Sequence, residues 1–345
     1  MRMGGRLIAA LAAGMLVAGT AASAQEIKLT FADQNSPQAW GPSHALQPWV
    51  KQVEAATKGR VKLEVFPSQT LVKGVDMWKA AAGGTIDIGW CVQSYWADLT
   101  PLSEVISLPG LPANIPAEKY SEVIWRLYEK YPALRKEFEG GGVQPLALYT
   151  TSSYFILSSK KQVQTLDDVK GMKIRTVGAP AIEHMKALGG VPTPMPMPDV
   201  YQALDKGVID GAGVPWEAIH GFRLYEVAKY VTLAPLARVF FSICANKRKL
   251  DSLPADVRGQ IMSVSGLAGS KFWGKNFFDT AEEGVKEAVA KAGKEIVKLE
   301  LPAAELERWA KLAAPIHDEW VKKMEAKGHK EARQILDDML AWLKA

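Results

Sequence analysis

The sequence predicts an α/β protein of two lobes, on three observations. Strand-like and helix-like segments alternate from the N-terminus, the alternation restarts after the run Gly140-Gly141-Gly142, and 321 residues follow an apolar leader. Strands alternating with helices build a mostly parallel sheet with helices on its faces. Single domains usually hold about 50 to 250 residues, so a chain of this length is expected to divide its core in two.

The leader is residues 1–24. Arg2 and Arg6 precede an apolar stretch from Leu7 to Ala22, and the small residues Ala22-Ser23-Ala24 stand before the polar Gln25. This is the pattern of a secretory signal peptide cut after Ala24. The stretch is shorter than the roughly 20 apolar residues that span a bilayer. Removal of its two arginines takes the formal charge from +5 to +3. That balance, with no basic run interleaved with aromatics, excludes nucleic acid as an expected partner. Two cysteines, Cys91 and Cys244, are too few for a disulfide-built scaffold. Each lies in an apolar run, so a bridge in an oxidising compartment and two buried thiols both stay open.

The elements follow in order. Ile27, Leu29 and Phe31 alternate with Lys28 and Thr30, the period of a half-buried strand. Leu46, Trp49, Val50 and Val53 fall at helical spacing before Gly59. Val61, Leu63 and Val65 predict a second strand, and Val75, Trp78 and Ala82 a second helix closed by Gly83-Gly84. A third strand runs through Ile86, Ile88 and Trp90. After the glycine run, Pro145 to Ser158 and Lys173 to Val177 read as strands, and Pro180 to Leu188 as a helix with proline in its first turn. Val191 to Pro198 has proline at every second position, which suits a sheet edge or an extended connector. Pro198 to Lys206 predicts a short helix and Val208 to Gly211 a short strand. From Ser252 the chain is helix-rich, and Trp309, Trp320 and Trp342 sit on apolar helical stripes, where they serve as packing residues.

Enzymes of the common classes leave constellations that this sequence lacks. It has no phosphate-cradling Gly-x-x-x-x-Gly-Lys, no Gly-x-Gly-x-x-Gly, no His-Glu-x-x-His and no Gly-x-Ser-x-Gly. The five histidines, His44, His184, His220, His317 and His329, are scattered and none has a partner at metal-ligand spacing. The chain is therefore not expected to be an enzyme, and no cofactor or metal is expected.

The segment Thr165-Leu166-Asp167-Asp168-Val169-Lys170-Gly171-Met172-Lys173-Ile174-Arg175, followed by Tyr201-Gln202-Ala203-Leu204-Asp205-Lys206-Gly207-Val208-Ile209-Asp210-Gly211, resembles the signature of the solute-binding subunits of TRAP (tripartite ATP-independent periplasmic) transporters. Gly59-Arg60-Val61, Gly84-Thr85-Ile86-Asp87-Ile88-Gly89, Asn246-Lys247 and Leu253-Pro254 extend the resemblance over essentially the whole mature chain. It implies a two-lobe periplasmic binding protein of type II-like fold, with crossing hinge strands and long C-terminal helices. The expected division is 25–148 with 216–252 for lobe one, 149–215 with 253–300 for lobe two, and 301–345 for helices packed on both. It also implies a periplasmic location, capture of a small organic acid, and delivery to a permease of a small and a large membrane subunit. Arg175 is implied to pair with the substrate carboxylate. A planar guanidinium fork at the end of a strand suits that role physically.

Two departures bear on the ligand. Where relatives often read Asp-Gly-Gln-Glu-Asn-Pro, this chain has Asp210-Gly211-Ala212-Gly213-Val214-Pro215-Trp216-Glu217, and where many carry a second arginine it has Thr151-Ser152-Ser153-Tyr154. A dicarboxylate is thereby disfavoured. The candidate cleft residues are Arg175, Trp216, Tyr154, Ser153, Gln69, Trp90, Tyr95, Trp40 and Phe240, with Arg238 in reserve. One cation among aromatics suits a monocarboxylate with an apolar or aromatic body, such as an aromatic or branched 2-oxo or 2-hydroxy acid. Trp216 could equally pack inside its lobe, and Glu217 could hold a bridging cation. The rival readings are a subunit of an ATP-driven importer or a sensor system, a secreted enzyme acting on an organic acid, and a structural envelope protein.

Overall fold

The computed structural model describes residues 26–96 and 98–345; the leader expected at 1–24 lies outside the described residues. Among the described residues, eleven strands form two sheets. The first contains β1 (Ile27–Ala32), β2 (Val61–Phe66), β3 (Ile88–Val92), β4 (Val143–Thr150) and β10 (Phe240–Asn246), in the order β2-β1-β3-β10-β4. The second contains β5 (Tyr154–Ser158), β6 (Lys173–Arg175), β7 (Val191–Pro192), β8 (Gly211–Val214), β9 (Tyr230–Leu236) and β11 (Val297–Glu300), in the order β11-β9-β5-β8-β6-β7. β1 runs parallel to β2 and β3, as the N-terminal strand-helix alternation requires, while β10 enters antiparallel between β3 and β4. The proline-rich segment supplies β7 at the edge of the second sheet, where its missing N–H groups disturb no ladder.

Between the sheets the chain crosses at Thr151–Ser153 and at Ala237–Val239. The expected single strand from Pro145 to Ser158 is thus two strands in different lobes, β4 and β5. Two apolar stretches flank the polar run Thr150-Thr151-Ser152-Ser153, and it is at this run that the chain changes its pairing partner. The Thr151 N–H donates to the Val239 carbonyl, 2.9 Å, and the Val239 N–H to the Thr151 hydroxyl, 3.2 Å. Arg238, buried between the crossings, donates to the carbonyls of Thr151 (2.7 Å) and Ile115 (2.7 Å) and, at 3.3 Å, to those of Pro112 and Ala113. Its guanidinium lies 3.8 Å from the Tyr120 ring centroid. All these groups are protein groups, so Arg238 is a hinge staple and not a reserve anion contact.

The division into lobes differs from the expected boundaries. Residues 216–236 belong to the second lobe, because β9 pairs with β5 and β11 and the return crossing comes only at Ala237. The helices Ala255–Ser263 and Gly266–Gly274 fall to the first lobe: the Ser270 hydroxyl accepts from the Leu148 N–H of β4, and Trp273 stacks by Tyr149. The short strand expected at Val208–Gly211 lies three residues later, at Gly211–Val214, since Gly207 to Asp210 form the preceding turn. The 24-residue helix Ala303–Ala326 braces both lobes. Trp320 reaches the Pro101 carbonyl and His317 contacts that of Pro109 on lobe one, while Lys323 pairs with Glu183 on lobe two. Cys91 and Cys244 form a disulfide between β3 and β10, which settles the question left open by the sequence.

Arg238→Ala removes a donor from the buried Thr151 carbonyl and from the carbonyls of Ala113 and Ile115, while that of Pro112 keeps the Tyr120 hydroxyl, and it is expected to lower the unfolding free energy by about 3 kcal/mol. Urea denaturation checks this, and Arg238→Lys, which keeps the charge and loses the fork, should recover less than half of the loss.

Candidate functional site

The carboxyl ends of the strands of both sheets face one another across the crossings, the position at which open α/β sheets bind small molecules. The cleft is lined from lobe one by Gln34, Asn35, Trp90, Val92, Tyr95, Thr151, Phe241 and Phe278, and from lobe two by Tyr154, Arg175, Val177, Met197, Pro215, Glu217, Ala218 and Phe222. It is closed down to about 20 Å³, room for little more than a water molecule.

Arg175 is the last residue of β6 and is 2% exposed. Its Nε donates to the Met195 carbonyl (3.2 Å) and its Nη1 to the Gly213 carbonyl (3.3 Å). Neither partner carries charge. Among the described residues no carboxylate lies within ion-pair distance of it, so the charge is buried, held in place and uncompensated, an arrangement that costs free energy until an anion arrives. Tyr154 stands beside the guanidinium; burial pushes its hydroxyl up to about 12, with Arg175 pulling in the other direction. It therefore remains a neutral donor across the physiological range.

Opposite this cation stands an aromatic wall. Trp90 of β3 lies 4.8 Å from Phe241 of β10 between ring centroids, and Phe241 stacks at 5.5 Å on Phe278. Tyr149 backs the wall at 5.4 Å from Phe241. At the rim, the Met197 N–H of lobe two donates to the Tyr95 hydroxyl of lobe one, 2.9 Å, a hydrogen bond that exists only when the lobes are together.

Two acids complete the site. Asp33 follows β1 and is buried, its Oδ1 accepting from the backbone and side chain of Asn35, while Oδ2 has no partner. Burial pushes it up to about 7, against the pull of those hydrogen bonds. Glu217 opens the helix Trp216–Gly221 and has Oε1 unpartnered; burial and then the nearby Asp33 push it up to about 8. Among the described residues no group of three or more His, Cys, Asp or Glu side chains is placed to hold a metal.

Of the nine residues singled out from sequence, the cleft brings together Arg175, Tyr154, Trp90 and Tyr95. Phe240 points into the core on the far side of the first sheet, with Cys91 and Cys244; its neighbour Phe241 takes the cleft, because successive side chains of a strand face opposite ways. Trp216 packs on Phe155 at 4.6 Å, the packing alternative, and with Ser153 lines a separate cavity of about 550 Å³ behind the hinge. Trp40 lies at an outer seam, stacked 3.6 Å from His44. Gln69 turns away from the cleft and accepts from the Gly74 N–H, 2.9 Å. Phe222, Phe241, Phe278 and Met197 were not foreseen. The buried polar run Asp33-Gln34-Asn35, directly after a strand, was the available signal for its part of the wall.

The profile of the bacterial extracellular solute-binding proteins, family 7, matches residues 31–324. The chain is 29% identical to a C4-dicarboxylate-binding periplasmic protein of Rhodobacter capsulatus, over 79% of this chain and 80% of that protein. Among solved structures it is similar to a TRAP solute-binding protein from Rhodoferax ferrireducens T118 in complex with copurified benzoate, at TM-score 0.85 and 27% identity, covering 92% of this chain and 98% of that one. It is also similar to a marine metagenome TRAP solute-binding protein specific for aromatic acid ligands, in complex with 3-hydroxybenzoate, at TM-score 0.84 and 25% identity, covering 93% and 98%.

Tyr95→Phe removes the acceptor for the Met197 N–H. Hydrogen exchange of that amide is expected to accelerate by about tenfold, the equivalent of one lost hydrogen bond, while amides of the two sheets keep their rates.

Proposed function

From the premise that the chain belongs to the family 7 bacterial extracellular solute-binding proteins, the TRAP-type receptors, we propose that it captures an aromatic monocarboxylate in the periplasm and hands it to a TRAP permease of a small and a large membrane subunit. The observation that carries the ligand class is the buried, uncompensated Arg175 facing an aromatic wall. A carboxylate supplies two parallel acceptors to the guanidinium fork. A ring of modest size then lies among Trp90, Phe241 and Phe278, where offset or edge-on stacking adds to the burial of apolar surface. One cation serves one carboxylate. Arg238 is committed to the hinge carbonyls, and burial favours the neutral forms of Asp33 and Glu217, so a second ligand carboxylate would meet acids and no cation. That favours a monoacid over the dicarboxylate named for the Rhodobacter relative.

Benzoate and 3-hydroxybenzoate, the acids bound to the two similar structures, support the same class. No helix among the described residues is long and apolar enough to cross a membrane, in keeping with a receptor that docks on its permease from outside. Capture without turnover is supported by the family, whose members are solute-binding proteins.

A thermal-shift panel of aromatic monocarboxylates, aliphatic dicarboxylates, sugars and amino acids tests the proposal on residues 25–345. An aromatic acid at a hundred times its dissociation constant should stabilise the fold by about 2.7 kcal/mol. Arg175→Ala should abolish that shift while leaving the ligand-free protein folded. Stabilisation by dicarboxylates or sugars alone, or a shift that survives Arg175→Ala, overturns the assignment.

A further inference from the structure

We propose that closure of the lobes is linked to protons: it brings Glu217 of lobe two against Asp33 of lobe one with no cation between them, so the protein takes up a proton from solvent as it closes over its ligand. This goes beyond the ligand assignment, which uses these two acids only to disfavour a second carboxylate.

The geometry is a seam. Glu217 belongs to a helix that follows β8 in the second sheet, and Asp33 to the segment that follows β1 in the first. Glu217 lines the cleft beside Gln34 and Asn35, the residues that follow Asp33; both acids are at least 95% buried, and each keeps one oxygen without a hydrogen-bond partner. The charge that acts on Glu217 is that of Asp33, of the same sign. Arg175 lines the same cleft, but its hydrogen bonds go to the Met195 and Gly213 carbonyls and no ion pair joins it to Glu217. The remaining groups do not compensate Glu217 either. Tyr149 faces it from β4 and Tyr154 from β5, both driven toward the neutral phenol chiefly by burial. On the helix Ala281–Lys291, Glu282 is paired with Lys286 and Lys298, and Glu287 faces His220. Glu226 is paired with Arg223, and Asp279 accepts from the N–H groups of Ala117 and Glu118. Farther along the seam, Trp40 of lobe one stacks on His44 and meets His220 of lobe two edge-on at 6.2 Å. Burial first, then His44, holds His220 below its usual range. Charging of His220 in acid opposes closure, so the linkage is read above about pH 6.5.

The sign follows from the two states. With the lobes apart Glu217 meets water and titrates near the ordinary carboxylate value; with the lobes together it is raised to about 8. Between these values the closed form holds a proton that the open form lacks. Closure therefore weakens as pH rises, by up to about tenfold per unit for each proton taken up, and levels off above about 8. A second acid has a similar position. Glu104 of lobe one has neither oxygen partnered, is pushed up to about 8 by burial and then by Glu137, and lies against Gly178 of lobe two.

The experiment is a calorimetric titration of benzoate and of 3-hydroxybenzoate into the mature protein between about pH 6.5 and 8.5, in buffers of differing ionisation enthalpy. Small-angle scattering of the ligand-free protein over the same range reports lobe separation. Wild type is expected to lose affinity with rising pH, to show buffer-dependent heat that corresponds to proton uptake, and to widen as pH rises. E217Q, neutral at every pH, should flatten the profile by about one proton, and E217Q/E104Q should flatten it fully; D33N removes the same repulsion from the other lobe. An affinity independent of pH without buffer-dependent heat, or a slope intact in E217Q/E104Q, overturns the proposal. If neither acid binds, the ligand assignment falls and scattering still decides. A separation that grows with pH in wild type and not in E217Q upholds the linkage; one that ignores pH overturns it.

Discussion

Everything in the cleft depends on the pair of crossing segments at the hinge and on the cation that ties them. Arg238 gathers carbonyls from Thr151 on one crossing and from the loop at Pro112–Ile115, while its own backbone lies on the other crossing. The backbone bond between Thr151 and Val239 fixes how the two crossings lie against each other. A buried guanidinium bonded to neutral oxygens is tolerable because its charge is delocalised and weakly hydrated and the Asp279 carboxylate acts on it. The outcome is a hinge held at one point, about which each sheet moves as a body. Residues on the two facing edges, Tyr95 and Met197 among them, then meet or part together.

The second buried guanidinium has the opposite character. Arg238 has its hydrogen-bonding capacity turned to the protein, and Arg175 does not: two long bonds to carbonyls aim it and leave the charge available. Arginines in similar burial thus divide into structural and functional by what surrounds them. The disulfide supports this division at one remove. It joins β3 and β10, the strands that carry Trp90 and Phe241, on the face away from the cleft. The aromatic wall is thereby backed by a covalent cross-link, and a ligand does not have to order it.

Much of this was legible in the sequence. Period-two alternation located the strands of the first lobe, and Arg175 stood at the end of one within a specific two-part motif. The hinge escaped because a strand-like composition does not record which sheet a strand joins; the polar run Thr150 to Ser153, between two apolar stretches, was the mark of the crossing. Phe240 was misplaced because a one-residue step in a strand exchanges cleft for core. Phe222 and Phe278 come from segments far from any strand end and carry no local mark of their position. Trp40 and Gln69 follow strands, as cleft residues do, yet the chain turns both outward, Gln69 through a positive φ of 60°.

A closed cleft of this composition selects its ligand by shape as much as by charge. Arg175 is anchored in lobe two alone, whereas the aromatic wall belongs to lobe one. A small anion would neutralise the guanidinium equally in the open and closed forms and so could not shift the balance between them, because a ligand moves an equilibrium only by its differential affinity for the two states. A molecule with a carboxylate at one end and a ring at the other touches both lobes only when they are together. Its ring is then removed from water by Trp90, Phe241 and Phe278, and its charge interaction strengthens in the drier site. The requirement for both ends follows from the placement of one cation and three aromatics on opposite sides of a single hinge, and it would hold whichever aromatic acid fills the cleft.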